Sequence, residues 1–178
     1  MDLKVGQKVT YPNQGVCLVE GIKRRKIGDL EIRVYELRLL GENSLIYVPV
    51  KNVDTVGLRP VLTYRKCREL VKFLSEDFGE ISCDWKSRSK DFIRQLQSGD
   101  VFEAADVLKK LTYLGHEKKL SFREQTLLEK SRFLVISEIT NAGVYDEKAI
   151  SNQLEKLVEQ ACKKHRRAQL KVMAAGSH

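Results

Sequence analysis

The sequence has one tryptophan, three prolines and three histidines in 178 residues. No apolar run approaches the roughly 18 residues needed to span a bilayer. The N-terminal MDLKVGQKV lacks the continuous apolar core of a secretory signal, so a cytoplasmic location is expected. Cys17, Cys67, Cys83 and Cys162 form no C-x-x-C pair and have no zinc-site spacing. A disulfide framework is not expected of such a chain, and the four read as small packing residues or surface thiols. H-E-x-x-H, G-x-S-x-G, Walker and G-x-G-x-x-G motifs are absent. His116 reads as a solvated loop residue, His165 lies in polar sequence, and His178 is the last residue. No catalytic residue, metal or cofactor is predicted, and the chain reads as a non-enzyme.

What is present fits a soluble globular protein: 42% hydrophobic and 31% charged residues, enough for one domain or two small ones. The formal charge is +8 with a pI near 9.3, which invites a polyanionic partner. Residues 1–59 carry +3 and residues 60–178 carry +5, so both halves share the excess.

The two halves differ in hydrophobic period. Over residues 1–58, GQKVTYP stops at Pro12, and NQG supplies a turn before VCLVEGI. The polar KRRK run leads to an IGD hairpin signal at Ile27–Asp29. In LEIRVYELRLL, Tyr35, Leu37 and Leu39 share one face. LIYVP ends in a proline suited to an edge strand, and VDTVG reads as a last short strand. Four or five short strands with tight turns predict a small SH3- or Tudor-like β-barrel. From residue 60 the spacing is helical. Pro60 suits a first helical position, and Val61, Tyr64, Cys67, Val71 and Leu74 recur until Gly79. Asp84, Asp100 and Asp146 read as N-caps, and Ser121-Phe122-Arg123-Glu124 has the form of a capping box. The expected architecture is α+β in two domains: a barrel over 1–58 and a compact all-α domain of about five helices over 60–178. The short GLRP junction predicts restricted domain placement.

Two basic runs and the tryptophan are the candidates for contact with a partner. KKHRR, Lys163 to Arg167, reads as a solvated helix end or a DNA contact. Lys23 to Lys26 read as a hairpin tip, open to solvent or an acidic partner. Trp85 stands seven, eight and eleven residues before Phe92, Ile93 and Leu96, so periodicity makes it the first layer of a core stripe. Lys86, Arg88 and Lys90 around it suggest instead an edge displayed to something outside.

VGQKVTYPNQGVCLVEGI, IYVP and VGLR in the first half, and DWKSRSKDF, SGD and LSFREQTLLEKSRFLV in the second, stand in the order of a known family. The chain resembles the CarD/CdnL family of bacterial RNA-polymerase-binding transcription factors over nearly its full length. It is similar to the short CdnL-type form, since no R-G-R-P AT-hook is present. Its first half alone is also similar to the polymerase-binding module of transcription-repair coupling factors, without any helicase motif. The resemblance implies a monomeric, nucleoid-associated protein whose Tudor-like domain adds a strand to the RNA polymerase β subunit. Ile46, Tyr47, Val48 and Pro49 match the docking strand, and Arg25 a basic polymerase contact. Tyr47 stands where some relatives carry arginine. It further implies that Trp85 wedges into the minor groove at the upstream edge of the promoter bubble, with Lys86, Arg88 and Lys90 on nearby phosphates, stabilising the open complex. The alternative is a protein adaptor that binds RNA polymerase without touching DNA.

Overall fold

The computed structural model describes residues 1–175. His178, and the last three residues of the region assigned to the helical domain, lie outside the described residues. The chain runs β1 (Lys8–Tyr11), β2 (Gly15–Ile27), β3 (Leu30–Leu39), β4 (Leu45–Pro49), a 3-10 turn (Val50–Asn52), α1 (Val53–Val56) and β5 (Arg59–Pro60). Five helices follow: α2 (Tyr64–Phe73), α3 (Trp85–Gln97), α4 (Val101–Glu117), α5 (Phe122–Asn141) and α6 (Glu147–Ala175).

The strands form one antiparallel sheet in the order β4-β3-β2-β1-β5. Alternation decides its buried face: Val9, Cys17, Val19, Tyr35, Leu37, Leu39 and Val48 form the core. The expected barrel is not closed, because β4 and β5 are the two edges of an open sheet. Three local readings are corrected. KRRK lies within β2, paired from Lys23↔Val34 to Lys26↔Glu31, and the turn falls at Gly28–Asp29. VDTV forms a helical turn that ends on Gly57 at φ 80°. Pro60 belongs to the edge strand β5, opposite Val9, where its missing N–H breaks no ladder.

The helical half packs around α4, which touches α2, α3, α5 and α6. Its expected core positions, Val101, Ala104, Ala105, Leu108 and Leu111, are all buried. Asp84, Asp100 and Asp146 accept N-terminal amides of the helices they precede, and both arms of the Ser121–Glu124 capping box are made. The first helix differs from expectation. Thr63 caps it rather than Pro60, Tyr64 is exposed, and it ends at Phe73, well before Gly79. The Lys109 Nζ donates to the Phe73 and Glu76 carbonyls at 2.9 and 3.3 Å. The Phe73 carbonyl thus accepts from α4 as well as from the Glu76 amide of the turn that closes the helix.

The halves meet directly. Phe133 of α5 lies against Gly15 and Gly41, where an added Cβ would come within 3.0 and 2.4 Å of its ring. Below that layer Glu138, 2% exposed, accepts from Thr10 Oγ1, both terminal nitrogens of Arg59 and the Leu62 amide. The carboxylate therefore ties β1, β5 and the junction to α5.

Candidate functional site

α3 begins at the tryptophan. The Asp84 carboxylate accepts from the Lys86 and Ser87 amides at 3.4 and 3.0 Å, which fixes the first turn. Phe92 and Leu96 fill the core with 3% exposure each, whereas Trp85 is 59% exposed. The stripe continues in period but its first layer lies beyond the core, so the indole is displayed. Lys86 and Lys90 are both exposed, and the Lys86 ammonium lies 5.8 Å from the indole centre; Lys90, five residues on from Trp85, lies toward another side of α3.

Arg88 is placed otherwise than the sequence reading expects. It is 6% exposed and faces inward. Its Nη1 donates to the Ser82 carbonyl at 2.7 Å, and its Nη2 to Glu124 Oε1 at 3.0 Å. A guanidinium so occupied does not fit a phosphate contact; it fastens the segment before Trp85 to α5. Glu124 also accepts from the Ser121 amide and hydroxyl and from Lys118 Nζ. Burial pushes this carboxyl up, but the Ser121 amide and hydroxyl, Arg88 and Lys118 together hold it at about 2.

The second candidate surface is the sheet edge. β4 pairs only with β3, from Val34↔Pro49 to Arg38↔Leu45, leaving its outer side open. Val48 is buried, while Ile46, Tyr47 and Pro49 are half-buried. Arg25, near the end of β2, lies with its guanidinium carbon 3.8 Å above the Tyr47 ring. The two polymerase-side candidates are therefore joined across β3 by a cation–π contact. Lys23 is paired with Glu36, whose carboxyl this ammonium holds below the usual range.

Other candidates are absorbed by the fold. KKHRR lies in the middle of α6, not at its end. Lys164 donates to the Ser75 carbonyl, Arg166 pairs with Glu117, and His165 is buried against Asp77 and stacked on Phe78. His116 belongs to the last turn of α4 and pairs with Glu159. Cys17, Cys67 and Cys162 are buried and Cys83 is exposed. Burial pushes the Cys17 thiol up to about 12. Among the described residues no group of three or more His, Cys, Asp or Glu side chains could hold a metal, and no helix is long and apolar enough to cross a membrane.

Sequence reasoning missed the neighbours of Trp85 across the groove. Lys118, Arg123 and Leu127 line one cavity with the indole. The signal available was Phe122: a large apolar residue at the first position of a capped helix, outside its apolar stripe, and 84% exposed. It marks the start of α5 as an outward-facing corner.

Both halves match family models. Residues 3–62 match the CarD-like/TRCF RID domain, and residues 69–155 match the CarD C-terminal domain. Among similar proteins, YdeB of Bacillus subtilis (strain 168), named as a candidate transcription factor, is 22% identical over 149 residues. That alignment covers 84% of this chain and 97% of YdeB. Among solved structures, the solution NMR structure of the 72-residue N-terminal domain of Myxococcus xanthus CarD is 32% identical. It covers 33% of this chain and 79% of that domain, with a TM-score of 0.29.

Proposed function

Because the chain belongs to the CarD-like family of transcription factors, we propose that it anchors to the RNA polymerase β subunit and stabilises the promoter open complex through Trp85. The open side of β4 supports the anchoring half of this reading. An incoming strand gains main-chain hydrogen bonds along Ile46–Pro49, and side chains at the edge select the partner. The Arg25 guanidinium, stacked on the Tyr47 ring, adds a positive charge beside that edge.

The observation that carries the DNA half is the exposure of the only tryptophan on a capped, rigid first turn. A displayed indole fills space between splayed bases at a fork, and it favours the open state only as far as it binds open DNA better than duplex. Lys86 and Lys90 supply salt-sensitive phosphate contacts without base readout. Arg88 acts behind them by holding the turn. DNA affinity of the free protein is then modest and non-specific, and polymerase supplies the location.

The test is open-complex decay with matched polymerase. Trp85→Ala leaves the fold and polymerase affinity unchanged and shortens the lifetime gained from the protein by about tenfold, as expected for one lost aromatic–base contact. An unchanged lifetime rejects the reading. A complex in which the protein gives no protection of the upstream-fork DNA favours a protein adaptor instead.

A further inference from the structure

The positive charge of the helical half is concentrated in one helix. Residues 60–178 carry +5, and residues 160–175 hold Lys163, Lys164, Arg166, Arg167 and Lys171 without any Asp or Glu, so residues 60–159 are neutral. This stretch lies beyond residue 155, where the match to the CarD C-terminal domain ends. Helical period divides its cations in two. One face of α6 carries Leu154, Val158, Ala161, Cys162 and His165 into the core. Lys164 and Arg166 flank that face and are engaged, by the Ser75 carbonyl at 2.7 Å and Glu117 at 2.7 Å. Lys163, Arg167 and Lys171 stand four residues apart on successive turns of the opposite face, all exposed. Among the described residues none of these three side chains has a hydrogen-bond or ion-pair partner. Glu159, four residues before Lys163, is paired with His116 at 2.9 Å. Like charges four apart on a helix repel one another. The helix dipole does not account for them, because its effect is confined to the last turn, and Lys163 and Arg167 stand twelve and eight residues before Ala175.

We infer that Lys163, Arg167 and Lys171 form a phosphate-binding strip for double-stranded DNA, separate from Trp85. The three span about 12 Å along the helix axis, a distance over which a duplex presents about seven phosphate charges. An anion repeated so closely meets all three cations without needing a matched register. No Phe, Tyr or Trp occurs in α6, so the strip offers no platform on which unpaired bases stack. It holds the backbone without reading sequence. A lipid surface would need an apolar face beside the cations. The apolar residues of α6 are packed into the bundle on its far side, except Leu170, Val172 and Met173 near its end. In a transcription factor, duplex DNA is the polyanion at hand. The inference goes beyond the proposed action at the fork and stands without it.

The experiment measures binding of the full-length protein, without polymerase, to a blunt DNA duplex over a series of salt concentrations. Combining Lys163→Gln, Arg167→Gln and Lys171→Gln is expected to keep the helical content and to reduce the slope of log affinity against log salt by about 2.7, as for three lost phosphate contacts. Each single replacement reduces it by about one, equally on AT-rich and GC-rich duplexes, and the single variants carry the test if the triple variant unfolds. Lys4, Lys8 and Lys51, exposed in the other half, provide the control. Lys4→Gln, Lys8→Gln and Lys51→Gln together remove the same charge and are expected to leave the slope unchanged. Equal losses in the two triple variants mean that overall charge attracts DNA without a site, and overturn the inference. A slope that the α6 replacements leave intact overturns it too. If those replacements abolish binding to vesicles of phosphatidylcholine and phosphatidylserine but spare duplex binding, the strip belongs to a membrane and the inference fails.

Discussion

Glu124 accepts four hydrogen bonds from three residues, and its ionisation carries more of the site than its distance from the indole suggests. Its folded-state value of about 2 lies below the ordinary range for glutamate. A depressed carboxyl contributes stability that is present above its unfolded value and is lost as pH falls through the folded one. Glu124→Gln is therefore expected to lower stability at pH 7 by about 1–2 kcal/mol. The gap to the natural protein narrows below about pH 4 and closes near pH 2. Urea unfolding across that pH range measures it, and a gap independent of pH removes the charge from the explanation. The same variant frees Arg88, so the indole turn loosens. Its intrinsic emission, which reports on one residue because the chain has one tryptophan, then shifts toward that of a fully solvated indole.

At the scale of elements, ends matter more than middles. α2 stops where the Lys109 ammonium takes two carbonyls and lies 3.6 Å from the Phe73 ring centre. Burial lowers this amine to about 8, against the pull of Asp106, Glu76 and Asp77. The unfolded chain then holds the proton more tightly than the folded one between pH 8 and the ordinary lysine range, so this group makes stability rise with pH there. Lys109→Met leaves both carbonyls without the amine and is expected to cost about 3 kcal/mol at pH 7. The advantage of the natural protein over the variant widens between pH 8 and 10, and thermal unfolding at the two pH values reads the difference. A constant difference means that folding leaves the amine's proton affinity unchanged. Element starts were legible because an N-cap is local: Asp84, Asp100, Ser121 and Asp146 each lie within three residues of the amides they bind. The end of α2 was not, because Lys109 reaches it from 36 residues away. The same separation hid the fate of Arg88, whose partner Glu124 also lies 36 residues on. Its position one turn past Trp85 suggested a surface edge, and only the packing of α5 on α3 turns it inward. For Trp85, period alone pointed to the core; the family resemblance favoured display, and its exposure follows from where the core ends.

At the scale of the whole molecule, the two proposed contacts are useful only if their separation is fixed. The open edge of β4 and the indole of α3 lie in different halves, and a floppy junction would spread the indole over a large volume and lower its effective concentration at the fork. Glu138 opposes this by accepting from β1, β5 and the junction at once, and Arg59 adds a bond to the Gly99 carbonyl at the start of α4. Removing one member of a buried ion pair strands the other charge, so Arg59→Ala is expected to lower stability by about 3 kcal/mol. The more informative consequence is mechanical. Arg59→Ala touches neither β4 nor Trp85, so polymerase affinity stays near that of the natural protein while the open-complex lifetime falls. Small-angle scattering then shows a larger radius of gyration, and limited proteolysis opens the chain within residues 57–63. Arg59→Lys keeps the charge and one donor, and recovers part of the lifetime. If Arg59→Ala destabilises the fold but leaves the lifetime of folded complexes unchanged, the Glu138 network holds the halves together without setting the reach between them.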